Sequence, residues 1–340
     1  MMPFASDNWS GVTPEVAAAL GRANAGHAPA YGDDALTATV VERFSEVFER
    51  RVRVHFVTSG TAANVLCLQA VGRPGGLVLC TEQAHLHADE YNGPEYFTGM
   101  KTVPIPTADA RLTPASLTEG LSRLLPASQR GPVAALSLTN ATEHGTVYSA
   151  AEVTELAAIA RAHGAAVHVD GARFANAVAA TGDSPADLTW RAGVDLMSFG
   201  GTKNGCWAAE AIVVFEPDAY PDLSVLRQRA GHGLSKQRFI AAQYDGYFTD
   251  DAWLRTASHA NAMAARLQEG LTASPGARLE WRTRSNELFP TVSAATAARL
   301  RAGGATFHTW EERGDEVVIR LVTSFATTAQ EVEELLALIG

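Results

Sequence analysis

The chain has 340 residues, 46% hydrophobic and 19% charged, and its 27 Lys+Arg against 37 Asp+Glu give a formal net charge of −10. That acidic balance, without a run of five basic residues, argues against a nucleic-acid footprint. No stretch of about 18 apolar residues is available to cross a membrane.

Cys67, Cys80 and Cys206 are too few and too scattered for a disulfide framework or a Cys-x-x-Cys metal site, so no metal and a reducing compartment are expected. The opening residues lack the basic stretch and apolar core of a secretory signal, which makes a cytoplasmic enzyme the expectation. The length exceeds what one core usually fills, so two domains are expected.

Residues 1–12 have no period, but Ser6, Asp7 and Asn8 form a polar cluster beside Trp9. Two readings are open there: a frayed end with a helix cap, or a terminus that reaches into a site. Thr13 is an N-cap and Pro14 the first residue of a helix. Tyr31-Gly32-Asp33-Asp34 breaks the chain before a second helix from Leu36 to Phe48, with Val40, Val41, Phe44 and Phe48 at helical spacing.

Val52 to Val57 alternates as a strand and runs into Thr58-Ser59-Gly60-Thr61-Ala62-Ala63-Asn64, the start of a helix continuing to Ala70. Such a turn makes an anion site that suits a monophosphate, because free N–H groups and the helix dipole face it and two hydroxyls add donors. The competing reading makes Ser59 or Thr61 an N-cap only. The turn is neither Gly-x-Gly-x-x-Gly nor a Walker motif, which speaks against dinucleotides and nucleoside triphosphates.

Leu77 to Cys80 is the next apolar run, followed by a loop with His85, His87 and Glu90; a further strand spans Val133 to Leu138. Ser149 and Glu152 form a capping box for a helix that ends near Gly164. Two short apolar runs then organise the chain, Val167 to Phe174 and Asp195 to Asn204. Each reads as a buried parallel strand presenting polar groups at its carboxyl end, the first Asp170 and Arg173, the second Ser198, Thr202 and Lys203.

A lysine and an aspartate on neighbouring strand ends suit pyridoxal phosphate, the amine forming a Schiff base and the carboxylate pairing with the pyridine nitrogen. In such a site His85 is the candidate to stack on the ring. Ala211 to Phe215 is expected to be an antiparallel strand. Arg227 to Arg238 is the one basic patch, either a solvated helix face or a contact to phosphate or a second subunit.

Beyond Asp251 a long helix, Trp253 to Leu271, leads to strands at Leu279–Arg282, Leu288–Val292, Thr306–Thr309 and Val317–Val322. Helices lie near 296–302 and 329–339. Strands and helices no longer alternate there, which implies a small α+β domain over 251–340 beside a large α/β domain over 1–250.

These residues, taken together, resemble the threonine aldolase group of fold-type I pyridoxal-phosphate enzymes almost from end to end. The motifs that carry the resemblance are Ser6-Asp7-Asn8, Tyr31-Gly32-Asp33-Asp34, Gly60 to Asn64, Ala84-His85 with Glu90, Asp170 to Ala177, Ser198 to Asn204 and Arg320-Leu321-Val322-Thr323. Within that group the chain is most similar to low-specificity aldolases that also accept phenylserine. Ala141 to Tyr148, Arg229-Ala230-Gly231-His232 and Thr323 to Thr328 carry that likeness.

The resemblance implies a large α/β/α sandwich with a mostly parallel sheet, a small C-terminal domain, and retro-aldol cleavage of β-hydroxy-α-amino acids to glycine and an aldehyde. It implies Lys203, Asp170 and His85 as the catalytic group and Ser59, Gly60 and Thr61 around the cofactor phosphate. Ser6, Arg173 and Arg320 hold the substrate carboxylate in this reading. A homodimer or homotetramer with shared sites follows, Tyr31 and Lys236 reaching a neighbour's cofactor. Two positions depart from the group: Thr142 stands where many members have a histidine on the substrate hydroxyl, and His87 stands where tyrosine is common. His85, His87 or a phosphate-held water is then the base. The same Lys203 and Asp170 would also serve a β-eliminating lyase, a racemase or a non-catalytic pyridoxal-phosphate regulator.

Overall fold

Seven apolar runs pair into one sheet. The computed structural model describes residues 1–340. After a two-residue strand β1 (Met2–Pro3), the sheet strands are β2 (Arg53–Val57), β3 (Leu77–Thr81), β4 (Lys101–Ile105), β5 (Val133–Thr139), β6 (Ala166–Gly171), β7 (Leu196–Gly200) and β8 (Glu210–Val214). Their spatial order is β2-β8-β7-β6-β5-β3-β4. The pairs from β4 through to β7 are parallel, while β8 runs antiparallel to both β7 and β2, the orientation expected for Ala211 to Phe215.

Every residue of β3, β7 and β8 is buried. Alternation along the strands sends Met197, Phe199, Ala211 and Val213 to one face and Leu196, Ile212 and Val214 to the other, so each face carries its own apolar layer. Helix Gly60–Val71 covers the second face with Ala63, Leu66 and Cys67. Helices Ala35–Val47 and Arg238–Phe248 contribute to the first. There Phe44 meets Phe199, Tyr244 and Phe248 edge-on at 5.3, 5.0 and 4.9 Å. Such edge-to-face pairs add about 0.5–1.5 kcal/mol each beyond area burial.

Strand β4 escapes a reading by apolar pattern because Lys101 and Pro104 interrupt it. Proline lacks the N–H a central strand needs, and β4 lies at the sheet's edge.

The remaining strands are β9 (Ala277–Leu279), β10 (Glu287–Leu288), β11 (Pro290–Ser293), β12 (Ala305–Thr306), β13 (His308–Arg313) and β14 (Glu316–Val322). All but β12 form a small antiparallel sheet in which β14 pairs with β10, β11 and β13. Three of the expected runs differ here, the first being Leu288–Val292, which is divided at Phe289 into β10 and β11. The strand anticipated at Leu279–Arg282 is Ala277–Leu279, in register with Pro290 to Val292. The run Thr306–Thr309 is divided, because Ala305–Thr306 pairs with β1 while His308 onward pairs with β14.

Met2 and Phe4 therefore pack into the second core with Leu267, Leu288, Ile319 and Leu335. Helix Ala252–Ala273 joins the two cores, giving Trp253 and Ala257 to the first and Ala264, Leu267 and Leu271 to the second.

Candidate active site

The polar groups gather at one edge of the large sheet, where the parallel strands end. Residues 58–61 follow β2, His85 follows β3, Thr139 closes β5, Asp170 lies near the end of β6, and Lys203 sits in the turn after β7. Because β8 is antiparallel, its first residue, Glu210, is delivered to the same edge, opposite Gly200 and Val57. This is the crevice at which open α/β sheets bind ligands. The two central strand ends meet closely: a Cβ on Gly171 would lie 2.6 Å from Ser198 O, and one on Gly200 would lie 2.7 Å from Ala172 O. Glycine at both positions lets Asp170 and Lys203 share one space.

That space is a cleft of about 270 Å³, and only two of its seventeen lining residues are hydrophobic, so a polar ligand suits it. One end is the turn Thr58-Ser59-Gly60-Thr61 at the start of helix Gly60–Val71. Ser59 Oγ accepts the Ala62 N–H at 3.3 Å. Ser59 thus caps the helix and faces the cleft at once, so the two readings of this turn are not exclusive.

Asp170 is buried in a network with Asn64 at its centre. Asn64 Nδ2 donates to Asp170 Oδ2 at 2.7 Å and to Glu90 Oε1 at 2.9 Å, and Ser198 Oγ donates to Asn64 Oδ1 at 2.7 Å. His85 Nδ1 lies 2.8 Å from the same Glu90 oxygen, and the Ala172 N–H donates to Asp170 Oδ1 at 3.0 Å. Burial opposes the charge on Asp170, yet His85, the Ala172 N–H, His168 and Lys203 together hold the carboxyl below its ordinary range. The bond to Glu90 raises His85 above the usual imidazole range against the effect of burial.

Arg173 faces the cleft with both sides engaged. Its Nε and Nη2 donate to Asp7 at 2.7 and 3.0 Å, and its Nη1 lies 2.9 Å from Glu287 Oε2. Glu287 Oε1 in turn accepts from Arg320 Nε at 2.9 Å and Nη2 at 2.6 Å. Two arginines and two carboxylates form a chain across the meeting of the two cores. Burial resists ionisation of Asp7, but the Arg173 charge and hydrogen bonds outweigh it and hold the carboxyl low.

Of the residues singled out from sequence, Ser59, Gly60, Thr61, His85, Asp170, Arg173 and Lys203 line this cleft together. Several do not. Ser6 accepts the Asn8 N–H at 3.1 Å and caps a short 3-10 turn, so Asn8 lines the cleft and Asp7 meets Arg173 in its place. Arg320 is directed to Glu287 and is absent from the cleft wall. Thr142 is fully buried with its hydroxyl 2.7 Å from that of Thr146, which removes it from contact with a ligand. His87 places Nδ1 3.0 Å from Thr102 Oγ1, away from the cleft. Tyr31 and Lys236 are exposed side by side, linked by the Tyr31 N–H to Ser235 O at 2.9 Å, outside the cleft of their own chain.

Sequence reasoning gave no role to Asn64, Glu143, Glu210 or Glu287. A polar residue inside an apolar run is the signal that could have found two of them: Asn64 lies between Ala63 and Val65, and Glu210 opens a buried strand, whereas Glu143 and Glu287 follow polar neighbours.

The donor set fits pyridoxal phosphate. A helix-start turn with three hydroxyls can take the phosphate, an ionised buried carboxylate can pair with a protonated ring nitrogen, a primary amine is at hand, and an imidazole lies beside them. Comparison with known proteins agrees. The model of the beta-eliminating lyase family matches residues 3–295. The chain is 42% identical over 333 residues to a low specificity L-threonine aldolase of Pseudomonas aeruginosa, covering 98% of this chain and 95% of that one. A second low specificity L-threonine aldolase, from another Pseudomonas, is 39% identical, with 98% and 96% covered. Among solved structures, a threonine aldolase of Leishmania major superposes with a TM-score of 0.93 at 28% identity, covering 99% of this chain and 98% of the other.

Proposed function

The chain belongs to the beta-eliminating lyase family of fold-type I pyridoxal-phosphate enzymes, and from that premise we propose that it cleaves L-threonine, L-allo-threonine and L-phenylserine to glycine and an aldehyde. The observation that carries this reading is one polar cleft shared by Lys203, an ionised Asp170, His85, Arg173 and the turn at 58–61.

Each side chain has a task. Lys203 Nζ is the primary amine in the cleft that would hold the cofactor aldehyde. Asp170, fixed by Asn64 and the Ala172 N–H, would pair with the pyridine nitrogen and favour its protonated form. His85, steadied by Glu90, would face the cofactor ring. Ser59, Gly60 and Thr61 hold the phosphate.

Arg173 orients the substrate carboxylate, assisted by Asn8. Asp7 and Glu287 keep its guanidinium in one plane, Arg320 stands behind Glu287, and Ser6 shapes the Asp7-Asn8 turn. When bound, pyridoxal phosphate supplies an electron sink for the pair released from the Cα–Cβ bond. A homodimer or homotetramer with shared sites is part of the same reading; exposed Tyr31 and Lys236 outside their own cleft support it. Three free, buried cysteines suit work in the cytoplasm.

Incubation with L-threonine and L-phenylserine, with product identification, tests the proposal. Glycine plus acetaldehyde or benzaldehyde is expected, and Lys203→Ala abolishes it. Keto acid plus ammonia from the parent protein would instead establish β-elimination, and a racemised amino acid would establish a racemase. Cofactor binding with no turnover of any kind would favour a regulator.

A further inference from the structure

With the expected hydroxyl contact at Thr142 buried and His87 turned to Thr102, the group that accepts the substrate's hydroxyl proton has to be sought among the residues that do face the cleft. Glu143 lines it. Its Oε1 is fixed by two donors, the His85 N–H and the Thr139 hydroxyl, both at 2.8 Å. Its Oε2 is sealed from solvent and has no hydrogen-bond partner. A buried carboxylate oxygen left without a donor costs free energy unless a donor arrives. The charges that bear on Glu143 are those of Asp170 and Arg173, and its own backbone and the His85 backbone N–H both favour its carboxylate form. It therefore stands among the residues that grip the rest of the substrate.

On the reading proposed above, we infer that Glu143 is the catalytic base of the carbon–carbon cleavage, its Oε2 accepting the β-hydroxyl proton. The O–H bond breaks, and its electron pair becomes the second bond of the aldehyde carbonyl. The Cα–Cβ pair stays with the α-carbon, which takes a proton from water to become glycine. Glu143 returns its own proton to water after the aldehyde leaves, so one proton passes in net from oxygen to carbon.

The other carboxylates in the cleft serve other groups. Glu90 also has an unpartnered Oε2, but its Oε1 is shared by His85 and Asn64, which ties it into the network around Asp170. Glu210 faces Thr202 and Lys203. The His85 imidazole is held by Glu90 toward its protonated form, which suits a ring-facing cation better than a base. Burial, and then repulsion from Asp170, push Glu143 up to about 7, a value matched to proton exchange near neutrality.

The test uses the cofactor-loaded protein and separates hydroxyl chemistry from the rest. Glu143→Gln keeps an acceptor for the His85 N–H and Thr139 but cannot take a proton. Three quantities are measured: glycine binding by the change in cofactor absorbance, deuterium exchange into the glycine α-carbon, and L-threonine cleavage. The expected result is unchanged glycine binding and exchange with cleavage lowered by roughly 10²-fold or more, the usual worth of a positioned general base. Glu143→Asp, which restores a carboxylate one methylene shorter, recovers part of the lost rate. Cleavage within about threefold of the parent in Glu143→Gln, well short of that general-base contribution, overturns the assignment. A parallel loss of glycine binding, exchange and cleavage overturns it as well, because Glu143 then only supports His85. A parent that releases no aldehyde defeats the aldolase reading itself, whereas either variant result leaves that reading intact.

Discussion

Asn64→Asp is the sharpest probe of the network beneath the cleft, because it changes one NH₂ into an oxygen and leaves the shape alone. Asn64 Nδ2 donates to two buried carboxylates, Asp170 at 2.7 Å and Glu90 at 2.9 Å. Hydrogen bonds to charged groups contribute about 1.5–3 kcal/mol each, so losing both removes about 3–6 kcal/mol. An ionised aspartate would also set a third carboxylate against the other two. The folded variant escapes by keeping the introduced carboxyl protonated, which restores one donor. In the unfolded chain that carboxyl ionises near pH 4, so over the neutral range the folded state holds one proton more than the unfolded state. Stability relative to the parent then falls by about 1.4 kcal/mol per pH unit as pH rises. Between pH 5 and pH 8 the gap widens by about 4 kcal/mol on the same relation. Urea unfolding of the apoprotein at several pH values measures it. Ser198→Ala serves as the control, since it loses one bond to Asn64 Oδ1, worth about 1 kcal/mol at any pH. An offset between Asn64→Asp and parent that stays constant with pH would refute the reasoning.

Other outcomes follow from the same contacts. Arg173→Lys keeps the charge but cannot span both oxygens of Asp7 and reach Glu287; disrupting such a buried pair costs about 3 kcal/mol, read as a lower urea midpoint with a higher KM for L-threonine. An unchanged midpoint would show that the fork is not needed. His168, fully buried under Asp170 with Nδ1 2.9 Å from Ser137 Oγ, is pushed down to about 4 by burial, and His55 likewise. Both stay neutral in the folded protein while the unfolded chain protonates near pH 6.5, so each contributes stability above that pH that is lost between about pH 6.5 and 4, on the order of 3 kcal/mol apiece. His168→Gln should flatten that acid limb by about half, and a limb as steep as the parent's would count against burial as its cause.

Much of the large sheet was legible because buried parallel strands are near-continuous apolar runs that stop at glycine and polar residues, as Val167 to Gly171 and Leu196 to Gly201 do. Strand β4 was not, since Pro104 and Lys101 belong to an edge. The site was legible where a residue type announces its chemistry: Lys203, Asp170, His85 and the Ser59-Gly60-Thr61 turn meet in one cleft. Sequence reasoning does not reach the places where a side chain's direction decides what it faces. Thr142 lies beside Glu143 in the chain, yet one is buried on Thr146 and the other faces the cleft. Arg320 and Arg173 have the same chemistry and share a partner, Glu287, yet only Arg173 lines the cleft. A linear pattern does not record which buried acid will stand opposite which base.

The chain of Asp7, Arg173, Glu287 and Arg320 also bears on how this protein can evolve. Its members come from the start, middle and end of the polypeptide, yet removing either inner member, Arg173 or Glu287, leaves the end member beyond it, Asp7 or Arg320, without its ionic partner. A lone substitution at 287 passes through a handicapped intermediate unless 320 changes in step. A descendant that loses Arg173 or Glu287 is therefore expected to carry a compensating replacement at the residue left behind.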